Sequence, residues 1–92
     1  MQTPRELVQK ALGLARNRLS SAPEFEIYKS IVAQLEYLDR VLSGNEKDRS
    51  KLKNIIVGHY GVREFEESDP EFADALIDAQ SIASKMAKGL KV

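Results

Sequence analysis

The chain contains no cysteine and no tryptophan, holds a single histidine, and has no surplus of either charge. Without cysteine there is no disulfide framework and no thiolate nucleophile. With His59 as the lone imidazole, a zinc site lacks its ligands. Lys and Arg number 14, matched by 14 Asp and Glu, which argues against generic nucleic-acid binding, where a basic excess is the rule. No apolar run approaches the length of a membrane span. The N-terminal MQTPRELVQKALG is amphipathic, carries Glu6 and lacks the continuous apolar core of a signal peptide. The expected compartment is the cytosol. No strand pattern, internal repeat or low-complexity segment is visible.

What is present suits a small helical protein. At 92 residues the expectation is one domain spanning 1–92. Hydrophobic content of 42% is enough for one core in a chain of this size. The first helix is predicted from Pro4 to Ser20: Thr3 and Glu6 form a capping box and Pro4 fits the first helical position. Leu7, Val8, Ala11, Leu12, Ala15 and Leu19 follow one helix face, and Gly13 is either a close-packing or a tolerated residue. The second helix is predicted from Pro23 to Ser43. Tyr28, Ile31, Leu35, Leu38 and Leu42 alternate steps of three and four, widened by Ile27, Val32 and Val41 into the seam of a bundle. Gly44 is its expected stop.

A third helix is expected to start at Asp48 or Ser50, with Leu52, Ile55, Ile56, Tyr60, Val62 and Phe65 facing inward. Gly58 and Gly61 predict a kink near His59, through close helix approach or as a hinge. The fourth helix opens at Asp69-Pro70, aspartate at the cap and proline in the first turn. Phe72, Ala75, Leu76, Ala79, Ile82, Ala83 and Met86 form its apolar face, and Gly89-Leu90 resembles a Schellman stop with Leu90 packing back. The expected fold is an all-α antiparallel bundle of about four helices, the third kinked.

The residues offer little chemistry. No Glu-x-x-His pair points to a carboxylate di-metal bundle, no calcium-loop spacing is present, and Gly58-His59-Tyr60-Gly61 lacks the spacing and lysine of a phosphate loop. No feature sets a serine beside His59, which reads as a surface or kink residue. No cofactor is implied. Lys47, Arg49, Lys51 and Lys53 read as a solvated face, with nucleic acid or an acidic partner patch as the alternative.

Val62 to Ala79 is the most informative stretch. Glu64, Glu66, Glu67, Asp69, Glu71, Asp74 and Asp78 are seven of the 14 acidic residues, with no base among them. Helix starts favour acids, which explains Asp69 and Glu71. Glu64, Glu66 and Glu67 fall near the end of the third helix, where the dipole opposes them. Glu71, Asp74 and Asp78 recur at three and four as an exposed ridge. The stretch reads as a packed helix corner whose acidic surface holds a basic partner, while Phe65 and Phe72 belong to the core.

The chain resembles a family of immunity proteins that protect bacteria from NAD(P)+ glycohydrolase toxins delivered by the type VI secretion system. The similarity is densest in Asp48-Arg49-Ser50, Leu52, Gly58, Val62, Glu64-Phe65, Glu67, Asp69-Pro70-Glu71, Ala75-Leu76, Asp78-Ala79 and the terminal Gly89-Leu90-Lys91-Val92. Thr3-Pro4, Ala11-Leu12, Arg18-Leu19, Pro23, Glu26, Gln34-Leu35, Tyr37 and Val41-Leu42 extend it over essentially the whole chain. His59, Asp74 and the Gly44-Asn45-Glu46 loop depart from the family pattern. The resemblance implies an all-helical, non-enzymatic protein of the bacterial cytoplasm that binds the toxin domain of a cognate effector and occludes its NAD(P)+ cleft. Candidate contacts are Glu64, Glu67, Glu71, Asp74 and Asp78, and after them His59, Tyr60 and Arg63 at the kink. Neither nucleic acid nor membrane is an expected partner, and homo-oligomerisation is left open but not indicated. The alternative is a helical scaffold or homodimerisation module without a toxin partner.

Overall fold

The computed structural model describes residues 2–90; Met1, Lys91 and Val92 lie outside the described residues. Helix α1 runs Pro4–Ser21, α2 Glu26–Ser43 and α4 Pro70–Ala87. Between α2 and α4 the chain makes a short 3-10 turn at Leu52–Asn54, one turn of α-helix (α3, Val57–Tyr60) and a π-helical turn at Gly61–Phe65. No strand occurs among the described residues.

The helix ends follow from local chemistry. The Thr3 hydroxyl accepts from the Glu6 amide at 3.2 Å, and the Glu6 carboxylate accepts from the Thr3 amide at 3.1 Å. That is the reciprocal capping box the sequence predicts. Gly44 ends α2 at φ 85°, a left-handed conformation natural to glycine. Gly89 ends α4 at φ 76°, with its amide donating to Met86 O and the Leu90 amide to Lys85 O. These are the two bonds of a Schellman motif. Leu90 does not pack back as expected: it stays 57% exposed. Helix α2 begins three residues later than predicted, because Pro23 and Glu24 are spent in the turn and Phe25 occupies the cap position.

Helix α1 packs against both α2 and α4, and the bent α3 segment lies mainly on α4. The antiparallel sense is marked by Arg5–Asp39 across α1 and α2 and by Arg18–Asp69 across α1 and the start of α4. The core is continuous. Val8, Ile31, Leu35, Leu38, Val57, Phe72 and Leu76 are its largest fully buried side chains. Tyr28 stacks on Phe65 at 5.6 Å between centroids, and Phe65 meets Phe72 at 5.0 Å. Both phenylalanines of the acidic stretch are therefore core, as expected.

The third helix departs most from expectation. Asp48 does not cap a helix; its carboxylate accepts from the Ser50 amide at 2.9 Å in a turn. The helical path is broken at Ile55–Ile56 and widened at Gly61–Phe65. Each break shifts the phase of the side chains. Leu52, Ile55 and Phe65 stay buried, but Ile56 and Val62, predicted inward, are 42% and 53% exposed. The kink near His59 is real, and its glycines allow close approach. A Cβ on Gly58 would lie 2.7 Å from Gln80 Cβ, and one on Gly61 would lie 3.0 Å from the Ala73 carbonyl oxygen.

Candidate protein-binding surface

The site is built on the bend. An α-helix begins with amides that have no intrahelical acceptor, and α3 has no capping side chain at Ile56. Two glutamines from other helices take that role. Gln34 Oε1 on α2 accepts from the Ile56 amide at 2.7 Å. Gln80 Oε1 on α4 accepts from the Gly58 amide at 3.1 Å, while its Nε2 donates to the Ile55 carbonyl at 2.8 Å. Gln80 thus clamps the bend to α4 from both sides of the break. The close seat at Gly58 is a condition of that clamp.

An open groove of about 480 Å³ follows the seam between the bend and α4, lined by Gly58, His59, Val62, Arg63, Ile77, Gln80 and Ser81. Val62 and Ile77, 53% and 40% exposed, give it an apolar wall on each side. Val62 and Arg63 also border a neighbouring depression formed with Glu64, Glu66, Glu67 and Ser68. The carboxylates of Glu64, Glu67, Asp74 and Asp78 are exposed, and none is in an ion pair with a described residue.

The structure divides the sequence candidates into groups. His59 and Arg63 line the groove. Glu64 and Glu67 adjoin it across Val62–Arg63, and Asp74 and Asp78 flank Ile77 on α4. Tyr60 is half-buried and packs against the core. Glu71 stands apart, because its carboxylate lies 4.0 Å from Arg18. Asp69 is the N-cap residue of α4 as expected, but its carboxylate is turned chiefly to Arg18, whose Nε and Nη2 donate to its two oxygens at 2.9 and 3.0 Å. The Arg18 guanidinium also sits 5.5 Å from the centre of the Phe72 ring. This pair holds the Asp69 carboxyl below its usual range, chiefly through the Arg18 hydrogen bonds and against the opposing effect of burial. It is a structural joint between α1 and α4.

Sequence reasoning missed Ile77, Gln80 and Gln34. Ile77 carried a signal, as an isoleucine set between Asp74 and Asp78 on an otherwise polar ridge. The clamping role of the glutamines carried none, because the backbone atoms they hold in the bend lie more than twenty residues away. No cluster of metal-binding side chains occurs among the described residues, and none of their helices is long and apolar enough to cross a membrane.

The Tsi6 family model matches residues 3–85. The chain belongs to the Tsi6 family. Immune protein Tsi6 of Pseudomonas aeruginosa PAO1 is 40% identical over 90 residues, covering 98% of this chain and 96% of Tsi6. A chain in the solved structure of Tse6 in complex with Tsi6 superposes with a TM-score of 0.91 at 39% identity, covering 98% of this chain and 96% of that one. The structure of Tsi6 from Pseudomonas aeruginosa alone gives a TM-score of 0.83 at 39% identity, covering 89% and 95%. The immunity-protein resemblance read from the sequence is borne out, as is the all-helical fold with its bent third helix. The Tsi6 fold is matched along nearly its whole length, the bend included.

Proposed function

We propose that this Tsi6-family chain is a cytoplasmic immunity protein that binds the toxin domain of a Tse6-type effector and blocks its active-site cleft without catalysing a reaction. The observation that carries this reading is the 0.91 TM-score to a chain of the Tse6–Tsi6 complex, at 39% identity over 98% of this chain. The resemblance to immunity proteins against NAD(P)+ glycohydrolases supports a dinucleotide cleft as the target. The bend-and-α4 face supports the mode of action. A cleft that binds a dinucleotide pyrophosphate is expected to be electropositive, and Glu64, Glu67, Asp74 and Asp78 offer it unpaired carboxylates. Glu71, Tyr60 and the groove residues His59 and Arg63 complete the proposed surface.

The test is enzymatic. The toxin domain of the Tse6-type effector from the same bacterium is titrated with this chain while NAD+ cleavage is followed. Inhibition should be complete at equimolar amounts and relieved by raising the NAD+ concentration. Full activity in a large excess of this chain would overturn the reading. Reversing Asp74 and Asp78 to lysine should slow association and flatten its dependence on salt, as rim charges act chiefly on the encounter rate. Unchanged rates would remove the α4 ridge from the interface.

A further inference from the structure

We infer that the groove between the bend and α4 is the anchor point of this interface, taking one aliphatic or aromatic side chain of the effector that is flanked by lysine or arginine. The inference rests on the proposed binding of a Tse6-type effector and adds the chemistry of the segment bound. Affinity in protein interfaces concentrates in a few well-packed apolar anchors, with charge arranged around them. This face has that arrangement. Val62 and Ile77 stand out to solvent on opposite walls, 53% and 40% exposed, where a helix on a polar face would present neither. The floor between them is fixed by the Gln80 clamp on Ile55 and Gly58.

The occupant follows from the charge around the groove. Glu64 and Glu67 adjoin one wall; Asp74 and Asp78 flank Ile77 on the other. All four are exposed and unpaired among the described residues. Arg63 lines the groove itself and opposes a base at its own position. The cationic groups of the partner therefore belong to either side of the anchor, over Asp74 and Asp78 and beyond Glu64. A second copy of this chain fits poorly, since a two-fold contact sets the same patch against itself and brings these carboxylates together.

The test uses the full chain and the toxin domain of the Tse6-type effector of its own bacterium, with association and dissociation rates measured at low and high salt. Ile77→Ala removes one wall, and Ser81→Trp fills the groove from an exposed position on α4. Each should weaken binding about 30-fold or more, the size of an anchor loss, mainly by faster dissociation. Ile56→Ala, at an exposed apolar residue outside the groove lining, should change affinity less than about threefold. Helical circular dichroism of each variant should match the wild type. Wild-type binding that both groove variants retain would overturn the anchor and leave the immunity function standing. A wild-type chain that binds no effector would overturn both. A dimer of the free chain that Ser81→Trp dissociates would assign the groove to a second copy and overturn the inference.

Discussion

Gly13 and Gly58 are both helical glycines, and they sit in regions built on different terms. Gly13 lies in the middle of α1, and a Cβ placed there meets nothing within 4 Å. Gly58 lies in the bend, and a Cβ there would collide with Gln80 at 2.7 Å. In the α1–α2 hairpin the backbone is satisfied locally, by the helices themselves and by the Thr3–Glu6 capping box, and the other side chains need only choose a face. Between Asn45 and Ser68 the helical path is broken, and the break at Ile55–Gly58 is held by Gln34 and Gln80. A self-sufficient element presents a regular surface; a segment held from outside is free to expose Val62 and Ile56. The candidate binding groove forms where this second kind of structure meets α4.

The largest effects should come from the core that both regions share. Leu35 and Leu76 are fully buried, one facing the hairpin and the other within α4. Leu35→Ala and Leu76→Ala should each cost about 2–5 kcal/mol in chemical denaturation. If only Leu76→Ala destabilised, α1–α2 would not share one cooperative core with the bend.

The glycines sharpen the comparison because the same substitution should change sign. Gly58→Ala should destabilise by about 1–3 kcal/mol, as overpacking against Gln80 outweighs the gain in helix propensity. Gly13→Ala should stabilise by about 0.5–1 kcal/mol, since propensity acts there unopposed. Equal effects in denaturant melts would erase the distinction between the two regions.

How far the sequence was legible follows the same division. The Thr3–Glu6 capping box, the Asp69-Pro70 start and apolar periodicity identified α1, most of α2 and α4, because those signals act within a few residues. The faces of Leu35, Leu38, Phe72 and Leu76 were readable for the same reason. Ile56 and Val62 were misassigned because a 3.6-residue period was carried through a segment that breaks it twice. Asp69 was readable as a helix start but not as the partner of Arg18, which lies 51 residues away.

Gln80→Ala should leave the Gly58 amide and the Ile55 carbonyl without their partner, at about 1–3 kcal/mol. Hydrogen exchange at Gly58 and His59 should accelerate, while amides in the middle of α2 keep their protection. A uniform loss across both regions would mean that the bend is not separately held.

A separate effect concerns acid. The Asp69 carboxyl is lowered in the folded state by its Arg18 hydrogen bonds, so its stabilisation is present above the ordinary carboxylate range. It is lost as pH falls below about 4, toward the folded-state value. Asp69→Asn should reduce that acid dependence and cost about 1–2 kcal/mol at neutral pH. An unchanged acid limb in the variant would remove this joint from the account.

The most direct test of where the partner sits is an amide-exchange footprint of the complex with the Tse6-type toxin domain. Binding should protect residues 58–67 and 71–81, on the two sides of the groove, and leave α2 from Glu26 to Ser43 exchanging as in the free chain. Protection confined to α2, with the bend and α4 unchanged, would contradict the assignment of the binding face to the externally held half of the molecule.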